Sequence, residues 1–274
     1  MRHVCRILIL LPLLFGPVYL RAQSNASDEL RLGVADYTRA QYETAAEHFQ
    51  KALSLEPHNL QAHLYLATTY AQQYIPGVND PRNVGIGNAA VREYEKILEV
   101  DPNNSNGIKG IAYLNLQMKN LEKAKEYYRK AIGVNENDPE PYYSIAVIDW
   151  TQSYQPRMVA RAKLSLKPDQ PFIYEPVCWE LRSHIEDFVK DGIDMLVEAL
   201  KRRPDYDDAM AYMNLLYRER ADIQCGDREA YKADTESADK WVDLTMAAKK
   251  GKSQDKQLPD TDKNSNETQP PNQP

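Results

Sequence analysis

Residues 45–57 read AAEHFQKALSLEP, and the reading of this stretch decides the fold. Ala45, Phe49 and Ala52 are spaced by four and then three residues, which places them on one face of a helix. The two alanines let a neighbouring helix approach closely, and the aromatic between them fills the gap. Pro57 then ends the helix, because proline has no N–H and clashes with the preceding turn. The same cassette returns as Ala90, Tyr94, Ile97, Pro102, as Ala124, Tyr128, Ala131, and as Gly192, Leu196, Ala199, Pro204. Upstream of the first copy, Leu32-Gly33 puts a small residue beside a large one on another helix face. The pattern predicts a helix from about Asp28 to Arg39, a turn, and a helix from about Glu43 to Leu55.

These residues resemble the tetratricopeptide-repeat family, whose unit is a helix–turn–helix of roughly 34 residues. In residues 26–59, Leu32, Gly33, Tyr42, Ala45, Phe49, Ala52 and Pro57 fall on the family pattern, and Asp36 stands where an aromatic is usual. In residues 105–138, Ile111, Ala112, Leu121, Ala124, Tyr128 and Ala131 match, and Glu136 replaces the proline. The resemblance implies an all-α, right-handed solenoid of about five units, at 26–59, 60–104, 105–138, 139–206 and 207–249, within a repeat region of 23–249.

Two units are expected to carry insertions. The extra residues of the second lie at 75–87, IPGVNDPRNVGIG, and read as a loop between its two helices. In the fourth, Pro156, Pro168, Pro171 and Pro176 crowd residues 151–176, which read as a long insertion holding one short helix at about Met158–Leu166. The fifth unit opens with a helix near Tyr206–Ala221 and closes with one near Glu229–Lys249. No run of alternating β-branched residues predicts a strand.

Both termini read as lying outside the solenoid. Arg2, His3 and Arg6 precede an apolar run at 7–15, and Leu20-Arg21-Ala22 offers a cleavage site, which is a secretory signal-peptide pattern over 1–22. Pro12, Gly16 and Pro17 interrupt the run, whereas a spanning helix needs about 20 apolar residues. The expectation is an exported, periplasmic protein with no integral membrane span after cleavage. Residues 250–274 are polar and read as a disordered tail.

Cleavage removes Arg2, Arg6 and Arg21 and takes the formal charge from −6 to −9. That argues against nucleic acid as the partner, which wants a basic surface. The sequence holds no G-x-S-x-G, no phosphate-cradling glycine loop and no H-E-x-x-H. His58 and His63 stand five apart with no third ligand spaced to join them. No enzyme activity, catalytic residue, cofactor or metal is therefore expected. Cys178 and Cys225 are a candidate disulfide in an oxidising compartment. Straight antiparallel helices would leave them several ångströms out of step, and the pairing stays open on sequence.

In this family the first helix of each unit lines a concave groove. Carrying over the usual positions gives Tyr37, Thr68, Lys109, Tyr113, Leu116, Tyr143, Val147, Trp150, Leu215 and Arg218 as candidate partner-binding residues. Lys109 stands alone, without the Lys/Asn set that other members use to clamp a C-terminal carboxylate. The resemblance implies an adaptor holding a protein or peptide partner. The alternatives are an assembly subunit docking through helix edges and insertions, and, more weakly, an enzyme accessory or carbohydrate-binding solenoid using the tyrosines.

Overall fold

The computed structural model describes residues 25–167, 170–172 and 175–255; the signal-peptide expectation at 1–22 and residues 256–274 lie outside them. Within the described residues all regular structure is α-helical. The helices are α1 (Ala26–Thr38), α2 (Tyr42–Leu55), α3 (Leu60–Gln73), α4 (Pro81–Val100), α5 (Ser105–Gln117), α6 (Leu121–Val134), α7 (Pro139–Lys163), α8 (Glu175–Arg202), α9 (Asp207–Asp222) and α10 (Arg228–Asp255).

The starts of the first helices of four units are built from one chemistry. Asn25, Asn59 and Asn104 accept from the backbone N–H of Asp28, Ala62 and Gly107 at 2.8, 3.0 and 3.1 Å, and Asp138 accepts from that of Glu140 at 3.0 Å. Each cap satisfies an N–H that has no partner inside the helix.

The helices pair as hairpins, α1 with α2 through α9 with α10, and each hairpin packs on the next. Odd-numbered helices also touch one another across units, α1 with α3, α3 with α5 and α7 with α9. The two layers are therefore splayed, and the odd-numbered layer is the inner, concave one. Close approach is set by the cassette. A Cβ on Gly33 would lie 2.5 Å from the Phe49 ring, and one on Gly110 would lie 2.4 Å from the Tyr94 ring. Ala45, Phe49 and Ala52 are fully buried, as their spacing requires. The result is an all-α solenoid of five helical hairpins among the described residues.

Three expectations need correction. The connection in the second unit is shorter than 75–87, because α4 begins at Pro81. Proline suits the first helical turn, and the Asp80 carboxylate accepts from the N–H groups of Arg82 and Asn83. The extra residues lengthen α4 to 20 residues. Buried Asn83 ties down the true connection: its side chain accepts from the Ile75 N–H at 2.8 Å and donates to the carbonyls of Ile75 and Val78 at 2.8 and 2.7 Å.

Residues 151–163 are likewise no loop insertion. They continue α7 straight through Pro156, so the fourth hairpin simply has longer arms, of 25 and 28 residues. Packing of α7 on both α8 and α9 outweighs the one hydrogen bond that the proline removes. The expected short helix at Met158–Leu166 is the end of α7. Arg161 holds the connector that follows, donating to the Lys167 carbonyl and, at 3.0 Å, to the Gln170 carbonyl. Finally, the polar tail does not begin at 250, since α10 runs on to Asp255.

Cys178 and Cys225 are bonded, with Cα atoms 5.3 Å apart. The mismatch expected from straight helices is closed because α9 ends at Asp222. Residues 223–226 form tight turns with Cys225 at φ 48° and Gly226 at φ 95°, and this corner, rather than a further helical turn, brings Cys225 beside Cys178.

Candidate functional site

The inner layer from α5 to α9 carries a dense set of aromatic rings. Tyr143 of α7 lies tilted on Tyr206 with centroids 5.0 Å apart and meets Tyr212 of α9 edge-on at 5.5 Å. Two helical turns on, Trp150 meets the same Tyr212 edge-on at 5.5 Å and leans on Tyr154 at 4.9 Å. The Arg203 guanidinium covers Tyr206 from 3.3 Å. Tyr143, Trp150, Tyr206 and Tyr212 also pack against the large apolar core of the last two hairpins or belong to it. Rings that hold one another edge to face form a surface of fixed shape.

This wall borders a cavity of about 260 Å³ lined by Lys109, Tyr113, Tyr128, Glu140, Tyr143 and Tyr206. Tyr113 is the open side of it, 50 % exposed on α5. The Lys109 ammonium donates to Asp138 at 3.0 Å and lies 3.8 Å from Glu140. The charges at the rim are thus matched within the protein, which leaves an aromatic floor with little net charge. Burial raises the hydroxyl pKa of Tyr128, Tyr143 and Tyr212, and pushes that of Tyr206 up to about 12. At neutral pH these hydroxyls keep their protons and can donate hydrogen bonds.

The candidate residues read from sequence divide in two. Lys109, Tyr113 and Tyr143 line one cavity, and Trp150 continues its wall. Tyr37 sits in the first hairpin, edge-on to Tyr42 at 5.6 Å. Leu116 packs into the α5–α7 core, and Val147 is half-buried. Arg218 reaches α10, donating to Asn214 at 3.0 Å and to Asp239 at 2.7 Å. Thr68 bonds the Leu64 carbonyl at 2.8 Å, and Leu215 is half-buried. The sequence reading missed Tyr154, Tyr206 and Tyr212. Tyr154 stood in the segment taken for an insertion; Tyr206 closes a corner between helices. Tyr212 lies one turn before Leu215, so helix periodicity alone could have found it.

Two buried charge networks hold this wall. Asp149 of α7 accepts from Lys125 at 2.5 Å, and Lys125 also meets Asp191 at 3.0 Å. Arg157 meets Asp222 at 2.7 Å and Glu219 at 3.4 Å, and Arg161 meets Asp222 at 2.5 Å. Burial pushes both Asp149 and Glu219 up to about 7. Both networks join elements of the scaffold. Among the described residues no three His, Cys, Asp or Glu side chains converge as a metal site, and no helix is long and apolar enough to cross a membrane.

A solenoid of helical hairpins with a small-residue and aromatic cassette defines the class, and comparison with known proteins agrees. The tetratricopeptide-repeat family model matches residues 110–138, most of the third hairpin. The type IV pilus assembly protein PilF of Pseudomonas aeruginosa is 26 % identical over 135 residues, covering 40 % of this chain and 54 % of that one. The chain thus spans about half the length of this curated relative. Among solved structures, MamA superposes with a TM-score of 0.56 at 14 % identity, over 84 % of this chain and 94 % of its own. YrrB, described as a tetratricopeptide-repeat protein with an unusual peptide-binding site, superposes with a TM-score of 0.51 at 15 % identity, over 82 % and 92 %. At these identities the structures speak for the fold alone. Residues 110–138 match the tetratricopeptide-repeat model, and the described residues share the fold of tetratricopeptide-repeat solenoids.

Proposed function

We propose that this protein is an exported, periplasmic adaptor that holds a peptide or protein segment against its concave face. The observation that carries the reading is the open aromatic cavity between α5 and α9, with half-exposed Tyr113 facing an interlocked wall of Tyr143 and Tyr206. Tyrosine anchors supply large contact area at small entropy cost, which is what peptide capture needs. The peptide-binding site ascribed to YrrB, and the assembly role in the name of PilF, support an interaction role over a catalytic one. The basic and apolar start of the chain supports export with loss of residues 1–22.

The test is selection of a random peptide library on the immobilised chain, with the Tyr113→Ala, Tyr143→Ala double variant as control. Peptides enriched on the parent and not on the double variant are expected, with helicity unchanged. Equal enrichment on both would sink the groove reading. It would favour the second one, assembly through the tip of the fourth hairpin. There Val159 is 66 % exposed, and Pro156, Val177 and Leu181 line an open cavity of about 220 Å³.

A further inference from the structure

We infer that the cavity between α7, α9 and α10 is a carboxylate-binding site, and that its ligand is a carboxylate of a peptide lying on the aromatic wall. The source of the carboxylate rests on the groove reading above; the site itself stands on its own residues.

The cavity holds about 690 Å³ and is lined by Tyr154 and Arg157 of α7, Arg218 and Asp222 of α9, and Tyr231 and Asp239 of α10. Two guanidinium groups therefore meet one space. Arg157 donates through Nε to Asp222 and through Nη1 to Glu219, and its Nη2 has no protein partner among the described residues. Arg218 donates through Nε to Asn214 and through Nη2 to Asp239, which leaves its Nη1 in the same state. Neither nitrogen is sealed from solvent. Guanidinium N–H groups match the oxygens of a carboxylate in geometry and charge.

The charge balance selects a single negative charge. The Oδ2 atom of Asp222 takes both Arg157, at 2.7 Å, and Arg161, at 2.5 Å, so one carboxylate serves two cations. The second carboxyl in reach, Glu219, is wholly buried with one oxygen unpartnered, and burial raises it to about 7. A protonated Glu219 leaves the inner end one negative charge short, which is the charge of one carboxylate. At the rim Arg218 and Asp239 balance each other. Position supplies the source. Tyr143, Trp150 and Arg157 stand seven apart, about two helical turns each, on one face of α7. Both rings meet Tyr212 of α9, and Trp150 leans on Tyr154, which lines this cavity. The wall thus leads into the site. From Tyr143 to Arg157 is about 21 Å along α7, or about six residues of extended peptide. Arg157 stands on the turns by which α7, at 25 residues, outlasts the 13-residue first helices of the first and third hairpins.

The probes are three acetylated tripeptides, titrated into the full chain by calorimetry. Gly-Glu-Gly amide carries its carboxylate on a side chain, Gly-Gly-Gly with a free end carries it at the C-terminus, and Gly-Gln-Gly amide is neutral. A carboxylate peptide is expected to bind about tenfold more tightly than the neutral one, and the tighter of the two names the source. Arg218→Gln should weaken that binding about tenfold with the circular dichroism spectrum unchanged. Asp239→Asn frees Arg218 from its own carboxylate and should tighten binding about threefold, a gain that misfolding does not produce. Equal binding of the carboxylate and neutral peptides, no binding of either carboxylate peptide, or an affinity indifferent to both substitutions overturns the inference. So does inorganic phosphate that binds more tightly than either peptide, since the site would then take a dianion. Three residues do not span the distance to the Tyr113 cavity. Failure here therefore leaves the groove reading standing, and failure of library selection through Tyr113 and Tyr143 leaves this site standing.

Discussion

Lys125 of α6 and Asp149 of α7 meet at 2.5 Å, and the carboxylate is wholly shielded from water. One Asp149 oxygen takes the ammonium, and the other has no hydrogen-bond partner. Burial dominates the balance and raises the carboxyl to about 7, against an ordinary value near 4. Between those values the folded chain keeps a proton that the unfolded chain has lost. Stability therefore falls as pH rises from about 4 to about 7 and levels off above. Glu219, buried beside Arg157 and also raised to about 7, acts in the same direction. Asp149→Asn removes one of the two titrations. The urea midpoint of the variant should fall less steeply between pH 5 and pH 8 than that of the parent. An unchanged slope would show that Asp149 does not titrate in this window.

Two glycines separate packing from propensity. Gly33 faces the Phe49 ring so closely that a methyl group would overlap it, and Phe49 is fully buried with no room to retreat. Gly33→Ala is expected to destabilise by about 1–3 kcal/mol, the usual range for overpacking. Gly133 lies in α6 with nothing within 4 Å of a new Cβ. Gly133→Ala should stabilise by about 0.5–1 kcal/mol, through the lower backbone entropy of the unfolded alanine chain. Denaturant titration of both variants checks the pair. A stabilising Gly33→Ala would mean that the first hairpin opens to admit it.

The regular part of the fold was legible because the signal was local. Ala45, Phe49 and Ala52 announce a buried helix face within eight residues, and the same spacing recurs down the chain. The fourth hairpin was not legible, for a physical reason. Pro156 weighs against a helix when neighbours are considered alone, yet α7 continues through it because α8 and α9 pack along its length. The partners of Arg157 lie 62 and 65 residues away, at Glu219 and Asp222, where no sequence period connects them. The candidate site was half legible. Helix-face positions gave Lys109, Tyr113 and Tyr143, which line one cavity, and Trp150, which meets Tyr212 beside it. They also gave Tyr37 and Arg218, which packing directs elsewhere.

The Cys178–Cys225 bond closes a loop across a sequence separation of 47 residues. Chain entropy alone assigns a loop of that size about 4 kcal/mol. The bond also fixes the chain after α9, next to Asp222, which receives both Arg157 and Arg161. Reducing agent should therefore lower the melting temperature of the parent protein. It should leave a Cys178→Ser, Cys225→Ser variant, already less stable, where it was. If reduction shifts both proteins equally, the bond does not supply the difference.

Asn83 makes the last prediction, because its side chain replaces secondary structure in the connection after α3. It bonds both the N–H and the C=O of Ile75 and the C=O of Val78, and it is itself buried. Asn83→Ala would strand the Ile75 N–H and the Val78 C=O, each costing about 1–3 kcal/mol if it stays shielded from water, while the Ile75 C=O keeps the Val78 N–H at 3.3 Å. The connection is at the surface, where Ile75 is exposed, so water recovers part of that loss. A net cost of about 2 kcal/mol is expected. Asn83→Asp keeps the acceptor for the Ile75 N–H and loses both donations, so it should be as damaging as alanine or more so. A carboxylate would then face two carbonyl oxygens. Amide hydrogen exchange locates the effect: the Ile75 N–H should lose protection in Asn83→Ala, while amides of α1 and α2 keep theirs. Uniform loss across the solenoid would mean instead that the side chain supports the whole array.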